Sequence, residues 1–253
     1  MPSFLKTNKP LLTVMIKQTQ NPDNIISEIG RALNMGAEAF GLQTEGLPRK
    51  YHTKEIMNSI FLATKGRPLY VTNYKLAENK NMTYDEIADE LKLYADLGVT
   101  LCDVMGDMYC KHEDELTNNK EAIEKQMKLI DELHSRNTEV LMSSHVNKFI
   151  SAEEVLEIAL EHKRRGADIS KIVTHADNME QQIENLRITN LLKEKANIPF
   201  LFLSGGECLI HRRLGIILGS CMSLCVCELE PGSTNPQPLI TEQIEIRDKI
   251  HLL

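Results

Sequence analysis

A lysine in the middle of an apolar, β-branched run is the first residue with chemistry to offer. Lys171 lies in Asp168-Ile169-Ser170-Lys171-Ile172-Val173-Thr174-His175, and the strand-like run before it, Val140-Leu141-Met142-Ser143-Ser144-His145, ends in a histidine. An ammonium is costly to bury unless it is paired or loses its charge. A desolvated lysine is the usual nucleophile for Schiff-base chemistry on ketones and aldehydes. The plainer alternative is a strand-edge lysine with its stem buried and its head in water. Lys171 alternates in phase with Val173 and His175, so the three side chains point one way. If that way is inward, the amine lies under His175 and beside His145 on the neighbouring strand.

Two chemistries could use this set. One is an imine on Lys171, with His145 moving protons at the adjacent carbon. The other places a zinc or manganese ion among His145, His175, Asp103 and Asp177. A lysine cation beside a metal would be repelled, and these four residues share no tight ligand spacing. The imine is therefore preferred, and no metal or cofactor is assigned. His52, His112, His134, His162 and His251 are expected to be hydrogen-bonded structural residues.

The elements that must position these residues follow from apolar runs and helix punctuation. Strands are expected at Leu11–Ile16, Ala37–Gln43, Pro68–Tyr74, Thr100–Met105, Thr138–His145, Asp168–His175, Ile198–Ser204 and Met222–Leu229. Helices are expected at Ile25–Asn34, Thr53–Thr64, Thr83–Leu97, Asn119–Arg136, Ser151–Arg165, Asn178–Lys195, Leu209–Leu218 and Leu239–Leu253. Ser151-Ala152-Glu153-Glu154 fits a capping box. Strands alternating with long helices imply parallel crossovers, and eight such units in 253 residues predict a single-domain (β/α)8 TIM barrel over residues 1–253. A doubly wound open sheet is the runner-up, but no Gly-x-Gly-x-x-Gly follows the first strand. In a barrel the chemistry gathers at the C-terminal ends of the strands. The polar residues there include Gln43, Glu45, Tyr74, Glu78, Asp103, Asp107, Ser143, His145, His175, Asp177, Ser204, Arg212, Glu230 and Ser233.

Composition narrows the partners. The formal net charge of −7 argues against nucleic acid or an anionic membrane surface as the main partner. No apolar run approaches the roughly 20 residues of a membrane span. The start, Met1-Pro2-Ser3-Phe4-Leu5-Lys6, lacks signal-peptide features, so a cytoplasmic location is expected. The six cysteines match no zinc or redox spacing and are expected to be reduced.

With the histidine strand, the lysine strand and the eightfold pattern in place, the chain resembles the type I 3-dehydroquinate dehydratase family, a (β/α)8 lyase family of the shikimate pathway. The resemblance rests on Ser143-Ser144-His145, on Gly166-Ala167-Asp168-Ile169-Ser170-Lys171-Ile172, and on Arg212 with Gly219-Ser220 downstream. It implies that Lys171 forms an imine with a keto-acid substrate and that His145 removes the α proton and protonates the departing hydroxyl. Glu78 would orient His145, and Arg212 would hold the substrate carboxylate. The substrate shell would include Gln43, Tyr74, Ser233, Asp103 and His175. Several shell positions depart from the family pattern. Glu-x-Arg on strand two is Gly41-Leu42-Gln43, the strand-three arginine is Tyr74, and an acidic residue after Asp103 is Met105. His175-Ala176 stands for Met-Pro, Gly205 for a methionine, and the last loop reads Leu229-Glu230-Pro231-Gly232-Ser233. Two alternatives stay open beside the dehydratase: a divergent Schiff-base lyase on another keto compound, and a non-catalytic binding barrel. A small-molecule keto acid is the expected partner, with a homodimer left open.

Overall fold

The structure is a computed structural model that describes residues 2–17, 19–229 and 237–250. Its strands are β1 (Leu11–Ile16), β2 (Ala39–Gln43), β3 (Leu69–Thr72), β4 (Leu101–Met105), β5 (Glu139–His145), β6 (Ile169–His175), β7 (Phe200–Gly205) and β8 (Met222–Cys225). They alternate with α1 (Pro22–Asn34), α2 (Lys54–Leu62), α3 (Tyr84–Asp96), α4 (Lys120–His134), α5 (Ala152–Arg164), α6 (Met179–Leu191), α7 (Ile210–Leu218) and α8 (Ile240–Lys249). The strands form one sheet in the order β7-β6-β5-β4-β3-β2-β1-β8 with parallel ladders. This is a nearly closed (β/α)8 barrel, as the alternating pattern predicts. Its seam lies between β7 and β8, where the Cys221 N–H donates to the Phe200 carbonyl at 2.9 Å.

The helices begin where local chemistry stops extended chain. Ser151 and Glu154 form the expected reciprocal cap at the start of α5, and Thr83 with Glu86 does the same for α3. Each cap satisfies N–H groups that the helix cannot and contributes about 1 kcal/mol. The last strand is shorter than its apolar run suggests. The chain leaves the sheet after Cys225, and Val226 makes an isolated bridge to Leu239 just before α8. No helix among the described residues is long and apolar enough to cross a membrane.

Two apolar layers result from strand alternation. Outward residues pack under the helices, among them Val104, Val140, Met142, Ile172 and Phe202. The barrel interior is filled by Met15, Tyr70, Leu101, Leu141, Ile169 and Leu201, with Phe4 buried in the same cluster. Gly41 belongs to this interior by close approach: a Cβ there would lie 2.1 Å from Met15 Sδ and 3.3 Å from the Tyr70 ring. Above this apolar plug, inward positions become polar, and the site begins.

Candidate active site

β6 turns Lys171 inward, and the residue is buried. Its Nζ donates to Tyr74 Oη at 2.9 Å and Tyr70 Oη at 3.1 Å, and lies 3.3 Å from Asp103 Oδ2. Both phenols donate to the same Asp103 oxygen, at 2.5 Å from Tyr70 and 2.6 Å from Tyr74. Ser143 Oγ donates to the other, Oδ1, at 2.6 Å. The Lys171 and Asp103 side chains are only 7% and 0% exposed, so this is a buried ion pair whose remaining valences are met by hydroxyls. Burial and the Asp103 charge hold both phenols well above the usual tyrosine range, which keeps them protonated donors.

Ser143 pairs with Lys171 across the β5–β6 ladder, so His145 stands two residues further up, roughly 7 Å along the strand. Its Nδ1 meets Glu115 Oε2 at 2.5 Å, and its backbone N–H donates to the same oxygen at 3.0 Å. A carboxylate on Nδ1 fixes the proton there and leaves Nε2 as the basic nitrogen. Nε2 has no hydrogen-bond partner among the described residues. The Tyr74 ring lies edge-on to the imidazole at 5.7 Å, so one tyrosine touches both Lys171 and His145. Over them opens a cavity of about 770 Å³ lined by Gln43, Tyr74, Met105, His145 and Glu115. Lys75 and Lys111 supply its positive charge, and Asp107 further negative charge.

The chain matches the family model described as type I 3-dehydroquinase over residues 18–246. The chain belongs to the type I 3-dehydroquinase family. Among named relatives, the 3-dehydroquinate dehydratase of Listeria monocytogenes serotype 4a is 32% identical over 127 residues, 49% of this chain and 50% of that protein. In that alignment the chain spans about half the length of the curated relatives it matches. The type I 3-dehydroquinate dehydratase of Clostridium difficile, solved with covalent modified comenic acid, superposes with a TM-score of 0.80. It is 19% identical over 96% of this chain and 93% of that one. The Geobacillus kaustophilus 3-dehydroquinate dehydratase gives 0.80 at 15% identity, covering 98% and 95%. These two likenesses carry the fold.

Within this dehydroquinase fold, several residues lie elsewhere than the sequence suggests. The carboxylate on His145 is Glu115, whereas Glu78 sits exposed on the 3-10 turn Ala77–Asn79. Arg212 is half-buried at the start of α7, gives its Nε to the Ser204 carbonyl at 2.6 Å, and does not line the cavity. Burial lowers its pKa to about 10, so it remains a cation at neutral pH. His175 turns to Asp177 at 3.0 Å, with its side chain 42% exposed. The Ala176 N–H donates to the Gly205 carbonyl at 3.1 Å, which continues the β6–β7 ladder past His175. Asp103, expected to face substrate, is spent on Lys171 and its hydroxyls. His145 is taken by Glu115, Asp103 by Lys171 and its hydroxyls, and His175 pairs with Asp177, so the four do not share one site among the described residues. Ser233 lies outside the described residues.

Tyr70 and Glu115 are the site residues that sequence reasoning missed. Tyr70 alternates in phase with Tyr74, and that signal was available. Glu115 is brought to His145 by a loop that folds back from β4, and nothing in its local sequence announces that.

Proposed function

We propose that the chain is a Schiff-base hydro-lyase acting on a cyclic keto acid, with 3-dehydroquinate the first substrate to test. The observation that carries this reading is the amine of Lys171 in the barrel centre, below a cavity-lining histidine whose Nδ1 is held by a carboxylate. Asp103 Oδ2, at 3.3 Å, is the base within reach of the amine. Lys171 Nζ adds to the substrate carbonyl, and loss of water leaves an imine. His145 Nε2 takes the proton alpha to it, then returns that proton to the β-hydroxyl, which leaves as water. Hydrolysis of the imine releases the product and restores the amine. Tyr74 lines the cavity while its phenol covers Nζ, so it must yield as the carbonyl arrives.

A second reading, a lyase for a different keto acid, is favoured by the cavity wall. Tyr74 and Met105 form part of that wall, and its cations are Lys75 and Lys111 rather than Arg212. Titrating 3-dehydroquinate against wild type, Arg212→Ala and a Lys75→Ala/Lys111→Ala double variant separates the two. Turnover that weakens sharply only in Arg212→Ala supports 3-dehydroquinate held by that arginine. Failure of wild type to bind or turn over 3-dehydroquinate rejects it as the substrate.

A further inference from the structure

The loop that delivers Glu115 is built from behind the barrel. It leaves β4 at Gly106 and returns at Thr117, whose N–H closes on the Gly106 carbonyl at 3.0 Å. Arg165, at the end of α5 and 2% exposed, holds both stems. Its Nη1 donates to the Gly106 carbonyl at 2.8 Å and to Gln126 Oε1 at 2.7 Å, and its Nη2 donates to the Thr117 carbonyl at 2.6 Å. Gln126, fully buried on α4, adds bonds from Nε2 to the Gly106 and Met108 carbonyls at 3.0 and 2.9 Å. A guanidinium is suited to this because its planar fork reaches two acceptors in fixed geometry.

Glu115 itself is held in an uncommon shape. Its φ is +47°, in the left-handed region that non-glycine residues seldom occupy. Ser144 Oγ donates to the Glu115 carbonyl at 2.8 Å. That hydroxyl is in turn set by His162, whose Nε2 lies 3.0 Å from it and whose Nδ1 lies 2.9 Å from Ser170 Oγ. Burial drives the His162 pKa down to about 3, so the ring is neutral and its single proton can serve only one of these hydroxyls. Since Ser144 spends its proton on Glu115, His162 Nε2 is the donor. The loop also requires glycine at 106, where a Cβ would stand 2.4 Å from the Glu115 carbonyl oxygen. Ser144 and His145 are neighbours in β5, so Glu115 is gripped by its carbonyl on one face of the strand and by its carboxylate on the other.

We propose that Glu115 orients His145 in place of the β3-loop glutamate, Glu78, and that Arg165 is a positioning residue acting through the β4 loop. The catalytic part of this inference rests on the Schiff-base reading. The positioning part does not, because the tautomer of His145 can be read without substrate. A strained backbone persists only when its surroundings over-determine it, and Arg165, Gln126, Ser144 and Gly106 are those surroundings. Loosening them lets Glu115 relax and frees the imidazole to rotate or exchange its proton.

The test combines ¹⁵N NMR of the His145 ring with turnover and borohydride trapping, in wild type, Arg165→Met, Ser144→Ala, Glu115→Gln, Glu115→Ala and Glu78→Gln. Wild type and Glu78→Gln should show one dominant Nδ1–H tautomer and turnover within about twofold of each other. Arg165→Met and Ser144→Ala should mix the tautomers and lower kcat by about 10–100-fold, the usual range for outer-shell partners, with little change in KM. Glu115→Gln should do at least as much, with the trapped imine accumulating. Because Glu115 lines the cavity, Glu115→Ala should be partly rescued by added formate. Should Arg165→Met fail to fold, Arg165→Lys, which keeps the charge but loses the planar fork, carries the same test. An unchanged tautomer and kcat in the Glu115 and Ser144 variants, the same in a folded Arg165 variant, or a Glu78→Gln defect equal to that of Glu115→Gln, would overturn the proposal. An absent adduct in wild type with the tautomer pattern as stated overturns the Schiff-base reading and leaves the positioning one standing.

Discussion

At the scale of single residues, the site depends on how Lys171 and Asp103 compensate one another. Removing the carboxylate leaves an ammonium facing two phenols whose protons have lost their acceptor. Asp103→Leu should therefore destabilise the protein by about 3–5 kcal/mol, the usual result of orphaning a buried charge. Lys171→Met leaves the carboxylate with its Tyr70, Tyr74 and Ser143 donors. Its cost should be smaller, ~1–3 kcal/mol. Urea unfolding of the two variants checks the asymmetry, and equal costs would contradict it. Glu45 offers a pH test. Burial pushes its pKa from 4.5 up to about 7, so the folded state binds its proton more tightly than the unfolded chain. Its burial thus costs nothing well below pH 4.5 and progressively weakens the fold as pH rises through 4.5 to about 7. Glu45→Gln should remove that loss, gaining up to roughly 3 kcal/mol relative to wild type at pH 8 over its value at pH 4. Thermal or urea unfolding across that range checks it; a constant difference would contradict it.

At the scale of elements, strands and loops differ in how much they reveal. Strand alternation predicts that Lys171, Val173 and His175 share one side without saying which, and the β5–β6 ladder places Lys171 level with Ser143, two residues below His145. A regular period carries side-chain direction along a whole strand. The cap at Ser151 is legible for a similar reason, since both partners lie within one helical turn. The β4 loop has no such period. Its shape comes from α4 and α5, through Gln126 and Arg165, so Glu115 is invisible in its local sequence, while a role for Glu78 toward His145 is implied only by resemblance. The same tertiary packing explains Gly41. Met15 and Tyr70 occupy the space a side chain would need, so Gly41→Ala should cost about 1–3 kcal/mol, an ordinary penalty for overpacking a core. Pairing it with Met15→Ala should return part of that loss, and an additive double variant would contradict the packing argument.

At the scale of the whole molecule, eight βα units are recognisable because each strand and helix carries its own apolar pattern and punctuation. Closure is less legible, since the seam and the early end of β8 depend on how the chain turns after Cys225 toward α8. The barrel then brings β3, β4, β5 and β6 to one centre, and only there do Tyr70, Tyr74, Asp103, Ser143 and Lys171 become a single network. The proposed chemistry requires that buried amine to be the nucleophile. The most direct measurement is intact-mass and tryptic-peptide analysis after incubating the protein with 3-dehydroquinate and borohydride, alongside Lys171→Ala. One reduced adduct is expected, on the peptide containing Lys171, absent from the variant together with turnover. An adduct on another lysine, or full turnover by Lys171→Ala, would contradict it.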